Sequence, residues 1–345
     1  MRIEKKSLAK LDRCYAASSV RVEGELRLLL ATEGAGACLQ FREADFKAST
    51  VWDGPGGTMS IVEIPDARGA FLAVQNFFPT FQAEAAIIVR GSPRGDDGWE
   101  IKTLFGLPYV HRFDVLKAGG LNYFLGATLC GSKKDQEDWS DPGKVWVGQL
   151  PGSPDAKIEL KPILEGLVRN HGYCHVEWEG RPAGLVCADQ GIFAVSPPLK
   201  AGGEWKTEVV FDRPVSDVAV CDIDGDGIPE LATIEPFHGK RLCVYKKIGK
   251  NYELAWEYEK SVDFGHAVWG GMLRGVPTFL FGYRKEAAEL FYLRCESVSP
   301  LRLAATTIEV GGGPSNVAVI NEEERDLILV SNRMIGEAAV FVVTD

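Results

Sequence analysis

Seven segments of this 345-residue sequence share one pattern: a strand-like piece, a tight polar turn and a short apolar run. The pattern predicts an all-β chain, a seven-bladed β-propeller of four-stranded antiparallel blades. Two observations lead there. The apolar runs at 26–31, 71–74, 123–127, 183–187, 231–234, 278–281 and 327–330 recur at roughly 40 to 60 residues. Each is preceded by a β-rich piece, at 18–22, 59–64, 112–116, 174–178, 218–221, 268–273 and 317–320, and turns at Gly, Asp or Asn.

The other two strands of each blade are read from the segments after the apolar run. Third pieces rich in β-branched and aromatic residues lie at 86–89, 145–147, 242–245, 290–293 and 340–343. Fourth pieces, carrying Trp or alternating charge, lie at 49–52, 99–104, 205–211, 254–258 and 304–310. The seventh unit stops at Asp345 after its third piece, while residues 2–10 set Ile3 and Leu8 among polar neighbours as on an outer edge strand. The N-terminal segment is therefore expected to supply the outer strand of blade seven, a closure that leaves only short outward edges. Seven repeats leave no stretch for a second core, so residues 1–345 are expected to form a single domain.

Composition narrows the function classes. The hydrophobic fraction of 46% is ordinary for a globular chain, and no apolar run approaches the roughly 20 residues that span a bilayer, so no membrane partner is expected. Residues 1–10 are polar, without the apolar segment of a secretory signal, which predicts a cytoplasmic protein. Eight cysteines stand singly with no CxxC pair and are expected to be reduced. A net charge of −10 argues against a nucleic acid partner.

The most informative positions are three histidines. His111, His171 and His266 each precede a glycine (Gly120, Gly180, Gly275) by nine residues. Equal offsets in a closed ring become equal places, so the three imidazoles are expected to converge at the axial mouth. Imidazoles gathered without carboxylates suit a transition metal, zinc or manganese. The competing readings are a hydrated polar mouth and a metal-free acid/base cluster. The same offset in other units gives Tyr15, Thr58, Asp217 and Ser315 or Asn316, all polar.

Around this mouth the register places long polar side chains. Asn76, Lys133, Asp189, Arg284, Asn332 and Arg333 are the candidate substrate-binding residues, with Tyr15 and His175 the candidate catalytic ones. A long insertion at 129–144 and an aromatic loop with Phe77, Phe78 and Phe81 border it. Together they suit a small polyhydroxylated or carboxylated ligand. The plain alternatives are that the phenylalanines pack their loop and that His175 is hydrogen-bonded within the protein. His238 is expected to be a solvated rim residue.

A second motif runs from Asp222 through Asp224, Gly225, Asp226, Gly227 and Ile228 to Glu230. Alternating carboxylates with glycines for a tight turn offer several hard oxygens to one cation, as calcium requires. This stretch resembles the FG-GAP/VCBS repeat propellers. The resemblance implies a calcium loop between the first two strands of a blade, held by Asp222, Asp224, Asp226, the Ile228 carbonyl and Glu230. It covers one unit of seven.

The axial histidines are similar in residue type to those of propeller-type polysaccharide lyases and sugar dehydratases. That resemblance implies a metal-dependent lyase, dehydratase or isomerase acting on a small sugar acid or keto-sugar, in which a base takes a proton and the β-oxygen leaves. The alternative is a non-catalytic platform that binds protein or carbohydrate. Fold alone does not decide between them.

Overall fold

A computed structural model describes residues 1–153 and 156–345. It contains seven four-stranded antiparallel sheets arranged as a seven-bladed β-propeller. The strands, in chain order, are β1 (Arg2–Lys10), then β2 (Cys14–Val22), β3 (Glu25–Thr32), β4 (Cys38–Arg42) and β5 (Ala48–Trp52) of blade one. Blade two is β6 (Ile61–Glu63), β7 (Phe71–Gln75), β8 (Ile87–Arg94) and β9 (Gly98–Gly106). Blade three is β10 (Val110–Ala118), β11 (Leu121–Thr128), β12 (Gly143–Gln149) and β13 (Lys161–Leu167). Blade four is β14 (Gly172–Trp178), β15 (Arg181–Ala188), β16 (Gly191–Ser196) and β17 (Lys206–Phe211). Blade five is β18 (Asp217–Cys221), β19 (Glu230–Glu235), β20 (Arg241–Ile248) and β21 (Asn251–Glu257). Blade six is β22 (Gly265–Leu273), β23 (Val276–Tyr283), β24 (Leu290–Val298) and β25 (Leu301–Glu309). Blade seven is β26 (Pro314–Asn321), β27 (Asp326–Asn332) and β28 (Glu337–Thr344), completed by β1 pairing antiparallel with β28.

Burial follows strand position. Second strands such as β19 and β27 are buried along their whole length, which explains why they read as unbroken apolar runs. Outer strands such as β9 and β21 alternate between exposed and half-buried residues. Three strands, β4, β13 and β16, carry no clear signal in the sequence. In β13 two register shifts against β12 break the alternation that marks a strand.

Two compact units are described separately. Residues 15–213 form one, holding blades one to four. Its cores lie between neighbouring blades: Val20, Leu29 and Trp52 with Ile61, Phe71 and Val89, and Leu116, Leu125 and Val145 with Val186 and Val195. Residues 1–14 and 214–345 form the other, holding blades five to seven. There Ile234 and Val244 pack with Phe279, Phe281 and Phe291, and Leu280 and Leu290 pack with Ile328, Val330 and Phe341. In the second unit Lys5 of β1 bonds both Glu309 and Glu337, adding an ionic clasp to the strand pairing. No helix of the described residues is long and apolar enough to cross a membrane.

The glycines that mark the repeat have a backbone reason. Four hairpins between first and second strands turn on two residues, both with positive φ: Glu23–Gly24, Gly119–Gly120, Glu179–Gly180 and Arg274–Gly275. Such a two-residue turn matches the right-handed twist of the strands and pins their register. Nine residues before its glycine is the head of the first strand, so the offset of the histidines follows from strand length.

This assigns glycine a conformational role at Gly180, where φ is +71° and an added Cβ would meet no atom within 4 Å. Gly180→Val is expected to destabilise the protein by about 1–2 kcal/mol, whereas Gly180→Asn loses less, because Asn tolerates positive φ. Urea unfolding of the two variants checks the ordering.

Candidate metal centre

The heads of the first strands are irregular in a repeated way. The ladder between β10 and β11 shifts between Val110 and Arg112, leaving His111 as the extra residue. The β22–β23 ladder shifts between Gly265 and Ala267, leaving His266, and the β26–β27 ladder shifts between Pro314 and Val317. A β-bulge re-aims the side chain it inserts and frees its backbone from the ladder. His171 stands immediately before β14, where its N–H bonds the carbonyl of Cys187. Tyr15 is the second residue of β2.

Carbonyls at these strand heads accept hydrogen bonds from the preceding blade. The Ser60 hydroxyl donates to the His111 carbonyl at 3.2 Å. His111 Nδ1 bonds the His171 carbonyl at 3.2 Å, and His266 Nδ1 bonds the Ser315 carbonyl at 2.6 Å. A carbonyl only accepts, so each Nδ1 carries the proton and each Nε2 keeps its lone pair, the state of a metal ligand. In His111 that lone pair accepts from the Tyr15 hydroxyl, 3.2 Å away.

Buried His111 and His171 lie with ring centroids 4.4 Å apart, and Phe77 meets His111 edge-to-face at 5.5 Å. In blades five and six, His238 follows β19 in a backbone conformation with φ of 47°. Its N–H donates to the Ser216 hydroxyl, and its ring is stacked between Phe237 at 3.9 Å and Phe264 at 4.2 Å. His266 lies 5.3 Å from it, with the two rings nearly parallel.

A histidine triad is present: His171, His238 and His266 each offer one ring nitrogen, all within 4.8 Å of one another. Of the three expected ligands, His171 and His266 belong to this set. His238 takes the place expected of His111, whose Nε2 faces Tyr15. His238, expected as a solvated rim residue, is half-buried and stacked on two aromatic neighbours. It lies in the loop between β19 and β20.

The expected substrate-binding residues are occupied in different ways. Lys133 Nζ donates to the carbonyls of Gln136 and Asp138 and sits 3.5 Å above the Trp139 ring, so its ammonium organises the 129–144 loop. Asp189 pairs with Arg169 at 2.9 Å. Buried Asn332 donates to Glu309 and Glu337. These three hold the framework. Arg284 stacks on Phe264 at 4.4 Å, beside the His238 ring. Asn76 has φ of 63° in the loop after β7, and Arg333 opens the short helical turn Arg333–Ile335. Phe77 is fully buried while Phe78 is exposed, so the aromatic loop is anchored on one ring.

His175 is tied to Asp114, its Nδ1 2.6 Å from Oδ2. The hydrogen bond to Asp114 outweighs burial and raises the His175 pKa.

In the Asp loop, Asp222, Asp224 and Asp226 form a group that could hold a metal. Lys246 of β20 reaches into it, bonding Asp224, Asp226 at 2.7 Å and Glu230 at 3.4 Å. Burial works against the ammonium, but the bonds to Asp224 and Asp226 prevail and raise its pKa. Burial pushes the Glu230 carboxyl up to about 7. The Ile228 N–H is held by Asp226, and its side chain is exposed.

No family model matches the chain, and no curated protein matches it. The FG-GAP/VCBS likeness therefore rests on the one Asp loop. Among solved structures, the PQQ-bound form of an aldose sugar dehydrogenase from Streptomyces coelicolor is similar over 100% of this chain and 99% of its own, with a TM-score of 0.50 and 12% identity. At that identity the likeness is one of propeller fold.

Proposed function

We propose that the chain binds one zinc or manganese ion through His171, His238 and His266. On that ion it acts as a lyase, dehydratase or isomerase on a small sugar acid or keto-sugar in the cytoplasm. The observation that carries the reading is the triad itself, with the His266 lone pair fixed by the bond from Nδ1 to the Ser315 carbonyl. A three-histidine set leaves coordination positions open, and such an ion polarises a carbonyl or carboxylate and acidifies the adjacent C–H. Arg284, with its guanidinium stacked on Phe264, is the candidate partner for a ligand carboxylate.

Tyr15 is the candidate base for that proton. Its oxygen is one hydrogen bond from His111 Nε2, so a proton taken from the ligand can be passed on to the imidazole. His175 is too far to share this role: four residues of extended strand set it about 13 Å from His171, more than a small sugar spans. A non-catalytic platform remains the competing reading and requires no occupied histidine set.

Metal analysis of protein purified without an affinity tag is expected to find near-stoichiometric zinc or manganese, reduced at least tenfold in His266→Ala and His238→Gln. Background metal in the parent chain, or unchanged content in both folded variants, would rule the centre out.

For the Asp loop, the calcium reading meets the Lys246 ammonium already seated among the carboxylates. A tethered cation of this kind lowers the loop's need for a metal. Lys246→Met is expected to lower the melting temperature, more at pH 8 than at pH 3, since Asp226 has a depressed pKa and its pairing is lost as pH falls through that value. Calcium should then raise the variant's melting temperature more than the parent's, by mass action. Differential scanning fluorimetry with and without calcium reads both effects.

A further inference from the structure

Away from the triad, β10 and β14, the first strands of neighbouring blades, carry a second built cluster. The Asp114 carboxylate, with its side chain 8% exposed, accepts three hydrogen bonds. They come from the Val115 N–H at 2.7 Å, the Tyr173 hydroxyl at 2.7 Å and His175 Nδ1 at 2.6 Å. The His175 side chain is 56% exposed, and no hydrogen bond reaches its Nε2 among the described residues. A buried carboxylate thus orients an imidazole by one nitrogen and leaves the other open to solvent. A histidine that only clipped two blades together would have no need of an open nitrogen.

The arrangement meets the geometric requirements for general-base chemistry. The orienting partner is fully satisfied, so its position is fixed. A carboxylate so placed can stabilise the imidazolium that forms when Nε2 takes a proton. Gly184, opposite His175 in the β14–β15 ladder, has no side chain, and a Cβ there would run into the Tyr173 ring at 2.4 Å. Tyr173 is thereby seated against Gly184 with its hydroxyl on Asp114.

We propose that His175 and Asp114 form a proton-transfer dyad, a site separate from the histidine triad, in which His175 Nε2 takes a proton from a water or a ligand hydroxyl and Asp114 is the positioning residue. The site takes a neutral ligand with an acidic O–H, or a water attacking an ester. In ester hydrolysis the water proton passes to Nε2 as the water oxygen adds to the acyl carbon. The alkoxide or phenolate then leaves, and the imidazolium returns its proton to solvent. This goes beyond the metal reading and does not depend on it.

The titratable groups facing His175 are Asp114 from β10 and, on its own strand, Tyr173 and Cys174; the residue across the ladder is Gly184. The hydrogen bond to Asp114 raises the His175 pKa, so the basic form appears above a midpoint higher than the ordinary value of about 6.5.

The test is p-nitrophenyl acetate hydrolysis by the intact chain in EDTA, followed from pH 5 to 9. The parent rate is expected to rise through a midpoint above about 6.5. In His175→Gln it should fall at least tenfold. In Asp114→Asn the midpoint should move down toward the ordinary histidine value. Circular dichroism confirms that each variant is folded. A folded His175→Gln with the parent rate, or a folded Asp114→Asn with the parent midpoint, would overturn the dyad. Because EDTA is present throughout, neither result bears on the triad.

Discussion

A β-bulge at the head of a first strand positions His266 of the triad, and an equivalent bulge positions His111 beside it. A regular strand would aim residues 111 and 266 into the packing between blades and commit their carbonyls to the ladder. The inserted residue does neither. The carbonyls at these strand heads accept bonds from the blade before, from Ser60 to His111, from His111 to His171, which precedes its strand, and from His266 to Ser315. One backbone irregularity therefore places an imidazole, sets its tautomer and ties adjacent blades.

The surrounding packing makes that arrangement rigid. Second strands buried on both faces supply the apolar core, and charged groups are admitted only with partners. The buried carboxylate of Glu289 is bonded by Tyr258, Tyr283 and Lys260, and that of Glu235 by Thr233, Tyr245 and Arg241. Both are buried, where an unpaired carboxylate would be costly. Lys246 in the Asp loop follows the same rule, its ammonium standing where other carboxylate loops hold a bound cation.

Much of this was legible in the sequence, and the reason is periodicity. The hairpin glycines need positive φ, so they are conspicuous, and counting back from Gly120, Gly180 and Gly275 reaches the three histidines. The closing strand was readable from Ile3 and Leu8 among charges. Strands β4, β13 and β16 were not; each carries a register shift in its pairing, which breaks the period-two signal. Neither were the partners of a side chain: nothing in the order of residues tells that Lys133 is held by its own loop, that His238 stacks with Phe237 and Phe264, or that His175 meets Asp114. Those contacts join residues far apart in sequence, or depend on a loop conformation that no pattern encodes.

The central claim is that imidazoles from different blades share one ion. X-ray absorption at the metal edge of the purified protein tests it most directly, since the fine structure reports both distance and ligand type. The account predicts three imidazole nitrogens at about 2.0–2.1 Å, for a zinc ion, with the remaining positions filled by lighter oxygen ligands. A shell of carboxylate and water oxygens alone, with no imidazole scattering, would contradict it.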